Sequence, residues 1–191
     1  MQYAENQTYT NKTIDGAIKN VVFTDCEFIN CTFPRTLFLS CTFIDCTFSS
    51  CNFISPSFTE CTMRGGKING GHYVGINWED LKPKLGNIPP FSELKNASLK
   101  LCTLVGLSLK GYEFGKTEWN ACYFHNCDLS ESNFSGNDFT STEFLHCNLK
   151  GCNFKEARNC IIDPKVNRIE KAKFSYMGAI ALLQSFGIII E

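Results

Sequence analysis

A large apolar side chain recurs at every fifth residue, a period that neither an amphipathic helix (about 3.6) nor a half-buried strand (about 2) produces. The first series runs from Ile18 through Phe23, Phe28, Phe33, Phe38, Phe43, Phe48, Phe53, Phe58, Met63, Ile68 and Tyr73 to Trp78. The second, one residue out of phase, runs from Leu94 through Leu99, Leu104, Leu109, Phe114, Trp119, Phe124, Leu129, Phe134, Phe139, Phe144 and Leu149 to Phe154. None of these 26 positions is polar, and 14 of the chain's 17 Phe fall on them. So regular a spacing marks a short structural unit that winds round an axis.

Twelve cysteines in 191 residues would suit a disulfide scaffold. Their phase argues otherwise. Cys26, Cys31, Cys41, Cys46, Cys51, Cys61, Cys102, Cys122, Cys127, Cys147 and Cys152 each lie two residues before an apolar centre, and Cys160 alone does not. Small residues share that slot, among them Thr36, Ser92, Ala97, Thr117, Ser132, Thr142 and Ala157. A free thiol behaves as a small hydrophobe, so inward, reduced cysteines are expected. Five-residue intervals are not zinc-ligand spacings, and His72, His125 and His146 fall outside the slot, so neither a metal nor a cofactor is expected. The residue before each centre is mostly polar or small (Asn52, Asp128, Asn133, Asp138, Asn148), and Ser, Thr or Gly often follows it. Short polar side chains bond to nearby backbone and hold tight corners. Such a unit cannot pack alone and must stack on its neighbours.

The segments Cys127-Asp128-Leu129-Ser130-Glu131, Ser132-Asn133-Phe134-Ser135-Gly136 and Cys147-Asn148-Leu149-Lys150-Gly151 resemble the pentapeptide-repeat proteins. The resemblance spans residues 18–158. It implies an all-β fold, a right-handed quadrilateral parallel β-helix with four repeats per coil. Residues 20 apart then stack at one strand spacing, roughly 4.8 Å, with Phe28 on Phe48, Phe124 on Phe144 and Cys102 on Cys122. Twenty-six repeats give about six and a half coils, or roughly 31 Å of rod. Stacked pairs such as Cys26/Cys46, Cys31/Cys51, Cys41/Cys61 and Cys127/Cys147 are expected to stay reduced. Parallel side chains do not make the Cβ approach of about 3.8 Å that a disulfide needs.

Residues 1–17 form a polar lead-in without the apolar core of a signal peptide. No run approaches the roughly 18 apolar residues needed to span a membrane. A cytoplasmic protein is expected, in keeping with reduced thiols. Residues 79–91 hold three Pro and one Gly and read as a loop bulging from the coil, with Glu79, Asp80, Lys82 and Lys84 as its candidate contact residues. In the C-terminal segment, 159–191, Asp163-Pro164 signals a turn. A helix follows, with Ser175 as its cap and Gly187 as its end. It is apolar nearly all round, so one side caps the open end of the β-helix and another meets a second surface. Ile188 to Ile190 read as a final short strand whose edge invites pairing. Tyr176, Met177, Ile180, Leu183, Phe186, Ile188 and Ile190 are therefore the candidate homodimer residues.

The net charge is −1, but its distribution is uneven. Residues 111–146 set Glu113, Glu118, Asp128, Glu131, Asp138 and Glu143 against Lys116 alone, a net of −5, while residues 147–173 carry +4. Glu118 and Asp138 stand 20 apart and are expected to stack, as part of an acidic belt. A rod with regular negative charge can compete for a DNA-binding groove. With its mid-rod loop and apolar tail, the chain is most similar within the family to the dimeric gyrase-protection group, which holds the Qnr and microcin-immunity proteins. That resemblance implies binding to DNA gyrase or topoisomerase IV by DNA mimicry, with no direct nucleic-acid contact, and relief from quinolone- or microcin-like poisons. The alternative is a non-enzymatic interaction scaffold with another partner. Catalysis is not expected: no phosphate cradle, metal cluster or nucleophile elbow is present in the sequence.

Overall fold

The computed structural model describes residues 1–83, 88–186 and 188. Its strands, most of them three residues long, all pair in parallel. Every fourth strand falls on the same face; numbered in chain order from Gln2–Glu5, the first face pairs Phe23 with Phe43, the second Phe28 with Phe48, the third Phe33 with Phe53 and the fourth Phe38 with Phe58. The result is a right-handed quadrilateral β-helix of about eight coils, closed by one helix, Tyr176–Ser185.

The five-residue period follows from the geometry of a corner. In each three-residue strand the middle side chain points inward and its neighbours point out. The chain then turns through a residue in the left-handed region, two positions after the centre. Asn20, Asp25, Asn30, Arg35, Ser40, Asp45 and Ser50 all have φ between 50° and 55°. Asn and Asp tolerate this conformation because their short polar side chains bond locally. The sequence shows polar corners; it does not show that one residue per repeat must be left-handed.

The inward centres form four stacks. Phe23 lies on Phe43 with ring centroids 5.1 Å apart, and Phe28 on Phe48 at 5.0 Å. Adjacent stacks meet edge to face, as Phe28 meets Phe33 at 5.9 Å, so both favourable aromatic geometries recur along the rod. The cysteine slot does more than admit a small group. Cys51 Sγ donates to Phe28 O (3.2 Å), Cys61 Sγ to Phe38 O (3.3 Å) and Cys127 Sγ to Leu104 O (3.3 Å). Thr36, Ser132 and Thr142 donate in the same way to Ile14 O, Leu109 O and Trp119 O. The slot thus selects a small donor that ties each coil to the one before it. All twelve cysteines are free thiols, eleven of them buried.

Three stretches differ from the sequence reading. Residues 1–17, expected as a lead-in, form the first coil: Gln2–Glu5 pairs with Val21–Thr24, and Thr8–Thr10 with Glu27–Ile29. This coil steps by 19 residues on three faces (Ala4 to Phe23, Tyr9 to Phe28, Thr13 to Thr32), so its centres Ala4, Tyr9 and Ile14 keep the five-residue spacing but lie one residue out of phase with the series from Ile18. At the other end, Asn148 bridges Arg168 and Asn153–Phe154 pairs with Lys173–Phe174, so the coil continues past 158. These two extensions explain why the rod exceeds six and a half coils. The third stretch is the loop. Ile68 pairs with Leu94 and Tyr73 with Leu99, a step of 26 where the neighbouring coils step by 20. Six extra residues therefore enter one coil, yet the ends of segment 79–91 are core: Leu81 is 1% exposed and Phe91 0%.

Candidate partner-binding surfaces

The six acids of the expected belt do not share a face. Glu118 and Asp138 do stack, as a bridge on the third face beside Trp119 and Phe139. Glu113 bridges Asn133 on the second face, Asp128 bridges Asn148 on the first, and Glu143 opens the fourth-face strand Glu143–Leu145. Glu131 occupies a left-handed corner, with φ 64°. Four faces and a five-residue repeat send acids at mixed intervals round the rod, and only a spacing of 20 brings two together. The belt is thus corrected to one stacked pair, Glu118 and Asp138, with the other acids dispersed.

Local chemistry lowers two of these acids, Asp128 and Asp138, and hydrogen-bond or ion-pair partners match several of them. Burial raises the Asp128 carboxyl, but donors from Ser130 and Asn148 outweigh it and hold the group below the usual carboxylate range. Burial acts likewise on Asp138, and is outweighed by Asn159, Thr140 and the Arg158 guanidinium. Arg158 Nε lies 3.3 Å from Asp138 Oδ2, and Lys110 Nζ 3.2 Å from Glu131 Oε1. Asn133 Nδ2 donates to Glu113 Oε2 at 2.8 Å, and Asn153 Nδ2 to Asn133 Oδ1 at 3.0 Å. The second face thus carries an external hydrogen-bonded ladder along the rod axis.

In the loop, Trp78–Leu81 forms a short 3₁₀ turn. Asn77 caps it, accepting from Glu79 N at 3.3 Å and donating to Asp80 Oδ1 at 3.0 Å. Glu79 and Asp80 are exposed. Burial and then the neighbouring Glu79 push the Asp80 carboxyl up. Lys82 turns inward instead, donating from Nζ to Gly106 O at 3.1 Å, so it braces the loop against the next coil. Lys84 lies outside the described residues.

The tail shows an uncovered apolar surface. Ser175 caps the helix, accepting from Gly178 N at 3.3 Å. Phe174 stacks on Phe154 at 5.2 Å, and Phe174 and Leu182 pack against the core. Ile180 is half-buried. Tyr176 (80%), Met177 (70%), Leu183, Phe186 and Ile188 remain exposed. Ile188 is not in a strand, contrary to the sequence reading, and Ile190 lies outside the described residues. The sequence also gave no notice of Ile161, which is 76% exposed and lines the groove beneath the helix with Phe154, Phe174 and Met177.

Among the described residues, no helix is long and apolar enough to cross a membrane. None of them form a group of three or more His, Cys, Asp or Glu able to hold a metal.

A pentapeptide repeat region model matches residues 21–89, and a pentapeptide repeats model matches residues 120–155. The chain belongs to the pentapeptide-repeat family. No curated protein matches it by sequence. Two trypsin-treated forms of QnrB1, a plasmid-mediated fluoroquinolone resistance protein, share its fold with TM-scores of 0.65 and 0.67. Their sequence identities are 18% and 17%, with 99–100% of this chain and 99% of theirs covered. HetL, a pentapeptide repeat protein involved in heterocyst differentiation regulation from the cyanobacterium Nostoc sp. strain PCC 7120, matches with TM-score 0.55 and 13% identity, over 90% of this chain and 84% of that one.

Proposed function

We propose that this chain is a cytoplasmic, non-enzymatic binder of a type II topoisomerase, DNA gyrase or topoisomerase IV, which it protects from quinolone- or microcin-like poisons by taking the place of DNA. The observation that carries the reading is the Glu118/Asp138 stack on a rod whose whole length matches the fold of a fluoroquinolone resistance protein. Carboxylates one strand spacing apart repeat negative charge along an axis, and a groove evolved for phosphates attracts such a row. The exposed apolar tail supports a homodimer, which doubles the row by two-fold symmetry.

Titration of the purified protein into a gyrase supercoiling reaction, with and without ciprofloxacin, tests this. Restored supercoiling in the presence of drug is expected. The pair Glu118→Lys with Asp138→Lys should weaken the effect by about tenfold or more, since like charge opposed across an interface costs several kcal/mol. Full protection by the doubly reversed variant would sink the mimicry mechanism.

A specific observation favours a second reading, an interaction scaffold with another partner. Asp138 and Glu131 are already ion-paired, and the remaining acids are spread over separate faces, so the field of any one face is modest. Absence of any effect on gyrase would select this reading.

A further inference from the structure

The two blocks of repeats are joined unequally across the insertion. On the second face Gly66–Asn69 pairs with Phe91–Lys95, and on the third His72–Val74 pairs with Ser98–Lys100. On the other two faces the sheets stop. Thr62–Arg64 ends the first-face sheet and Ser57–Thr59 the fourth-face sheet. Counting back five from Leu94 puts Pro89 at the next first-face centre, followed by Pro90, and neither has an N–H to give a ladder. On the fourth face the residue 20 after Phe58 is Trp78, which opens the 3₁₀ turn Trp78–Leu81 instead of a strand. The aromatic stacks part in the same way. Phe53 lies on Tyr73 at 5.5 Å on the third face. On the fourth, Phe38 stacks on Phe58 at 5.0 Å, and no Phe58–Trp78 ring contact follows among the described residues.

The turn belongs to the later block. Thr103 N donates to Ile76 O at 2.9 Å, and Lys82 Nζ to Gly106 O at 3.1 Å. Among the described residues no hydrogen bond joins Ser57–Thr59 to Trp78–Leu81, or Thr62–Arg64 to residues 88–90. One backbone bond, Gly66 N to Pro90 O at 3.2 Å, stands at the edge of this gap, where the second-face ladder begins. Across the gap, buried Trp78 and Leu81 face Phe58 and Met63, and all four line a cavity of about 10 Å³. Each coil of a solenoid is stabilised by its nearest neighbours, so a rod yields at its weakest coil interface. Here the weakness is one-sided: ladders hold the second and third faces, while apolar packing alone closes the adjoining fourth and first.

We infer that this coil is a hinge. The later block, with its turn, tilts about the continuous second and third faces, and the gap on the fourth and first faces opens and closes. This motion is independent of which partner the rod takes, and it swings the Glu118/Asp138 pair relative to the earlier block. Double electron–electron resonance on the full chain reads it, with nitroxides carried on a ketone-bearing amino acid so that the native thiols are spared. Dilution with unlabelled chain confines the distances to one molecule. Ser57 with Glu143 spans the gap along the fourth face, and Ile54 with Thr140 spans the same level along the third; all four are exposed. Each pair lies four strand spacings apart, roughly 19 Å. The fourth-face distribution is expected to be about twice as broad as the third-face one, since a hinge moves most on the side away from its axis. Leu81→Ala loosens the packing across the gap and should broaden the fourth-face distribution further while leaving the third unchanged. Far-UV circular dichroism checks that this variant is folded. Equal widths on the two faces, or a fourth-face width that does not respond to Leu81→Ala, would each overturn the inference.

Discussion

Two buried indoles and one buried phenol show how differently similar polar groups fare along this rod. Trp119 Nε1 donates to Asn137 Oδ1 at 3.0 Å, and Asn137 in turn donates to Gly115 O, so a polar residue in the thiol slot completes a buried network. Trp78 Nε1 and Tyr73 Oη, in the coil that carries the insertion, are buried with no hydrogen-bond partner among the described residues. An orphaned buried hydroxyl costs its desolvation without return. Tyr73→Phe should therefore raise stability by about 1 kcal/mol, read as a higher urea midpoint at unchanged slope. A lower midpoint would mean that Tyr73 Oη has a partner in solution. Nothing in the five-residue rhythm distinguishes these two sites, because both Trp stand at apolar centres of a repeat. What separates them is the residue in a neighbouring coil, which only the register supplies.

Repeats were legible from the sequence as elements because each obeys the same local rule, an inward Phe or Leu and an inward small donor two residues earlier. Legibility fails where that rule bends. The first coil has Ala4, Tyr9 and Ile14 at its centres but a step of 19, and the last uses Asn167 where a thiol would stand, donating to Phe144 O at 2.8 Å. The loop looked wholly superficial because its prolines and charges dominate its composition. The structure assigns its first turn to the core, through Trp78 and Leu81. Leu81→Ala should consequently cost about 2–5 kcal/mol in chemical denaturation, a buried-leucine loss that no surface loop would show. A change within about 0.5 kcal/mol would return the turn to the surface. The helix poses the converse test. Its half-buried side explains why it folds, while Tyr176, Met177, Leu183 and Phe186 lack cover. The tail is expected to hold a dimer and Leu183→Asp to release monomers, as measured by sedimentation. Persistence of the dimer in that variant would exclude the helix as its seam. The candidate site was less legible than the fold: charge counts found the acids, but a face is defined by residues 20 apart, and only Glu118 and Asp138 meet that condition.

At the scale of the whole molecule, the thiol rows make stability depend on alkali. Burial pushes Cys46 and Cys152 up to about 12 and Cys51 and Cys61 to about 11, from an ordinary value of 9.0. A thiol with a raised folded value keeps its proton in the native state while the unfolded chain loses it. The stabilisation is thus complete below pH 9 and is lost as pH climbs through 11 to 12. Urea midpoints measured from pH 7 to 11 should be level at first and then fall; a level profile to the end would place the thiols in contact with water. A different consequence follows from the coil step. Because Ile68 pairs with Leu94 and Tyr73 with Leu99 despite the six extra residues between them, all later strands keep the azimuth they would have had without the insertion. An insert of one whole coil would lengthen the rod by roughly 4.8 Å and rotate nothing, whereas a single added repeat would swing everything beyond it by a quarter turn. Reach and orientation are therefore separate variables in this architecture: where the Glu118/Asp138 pair lies along the axis and which way it faces can be altered independently, by counting residues.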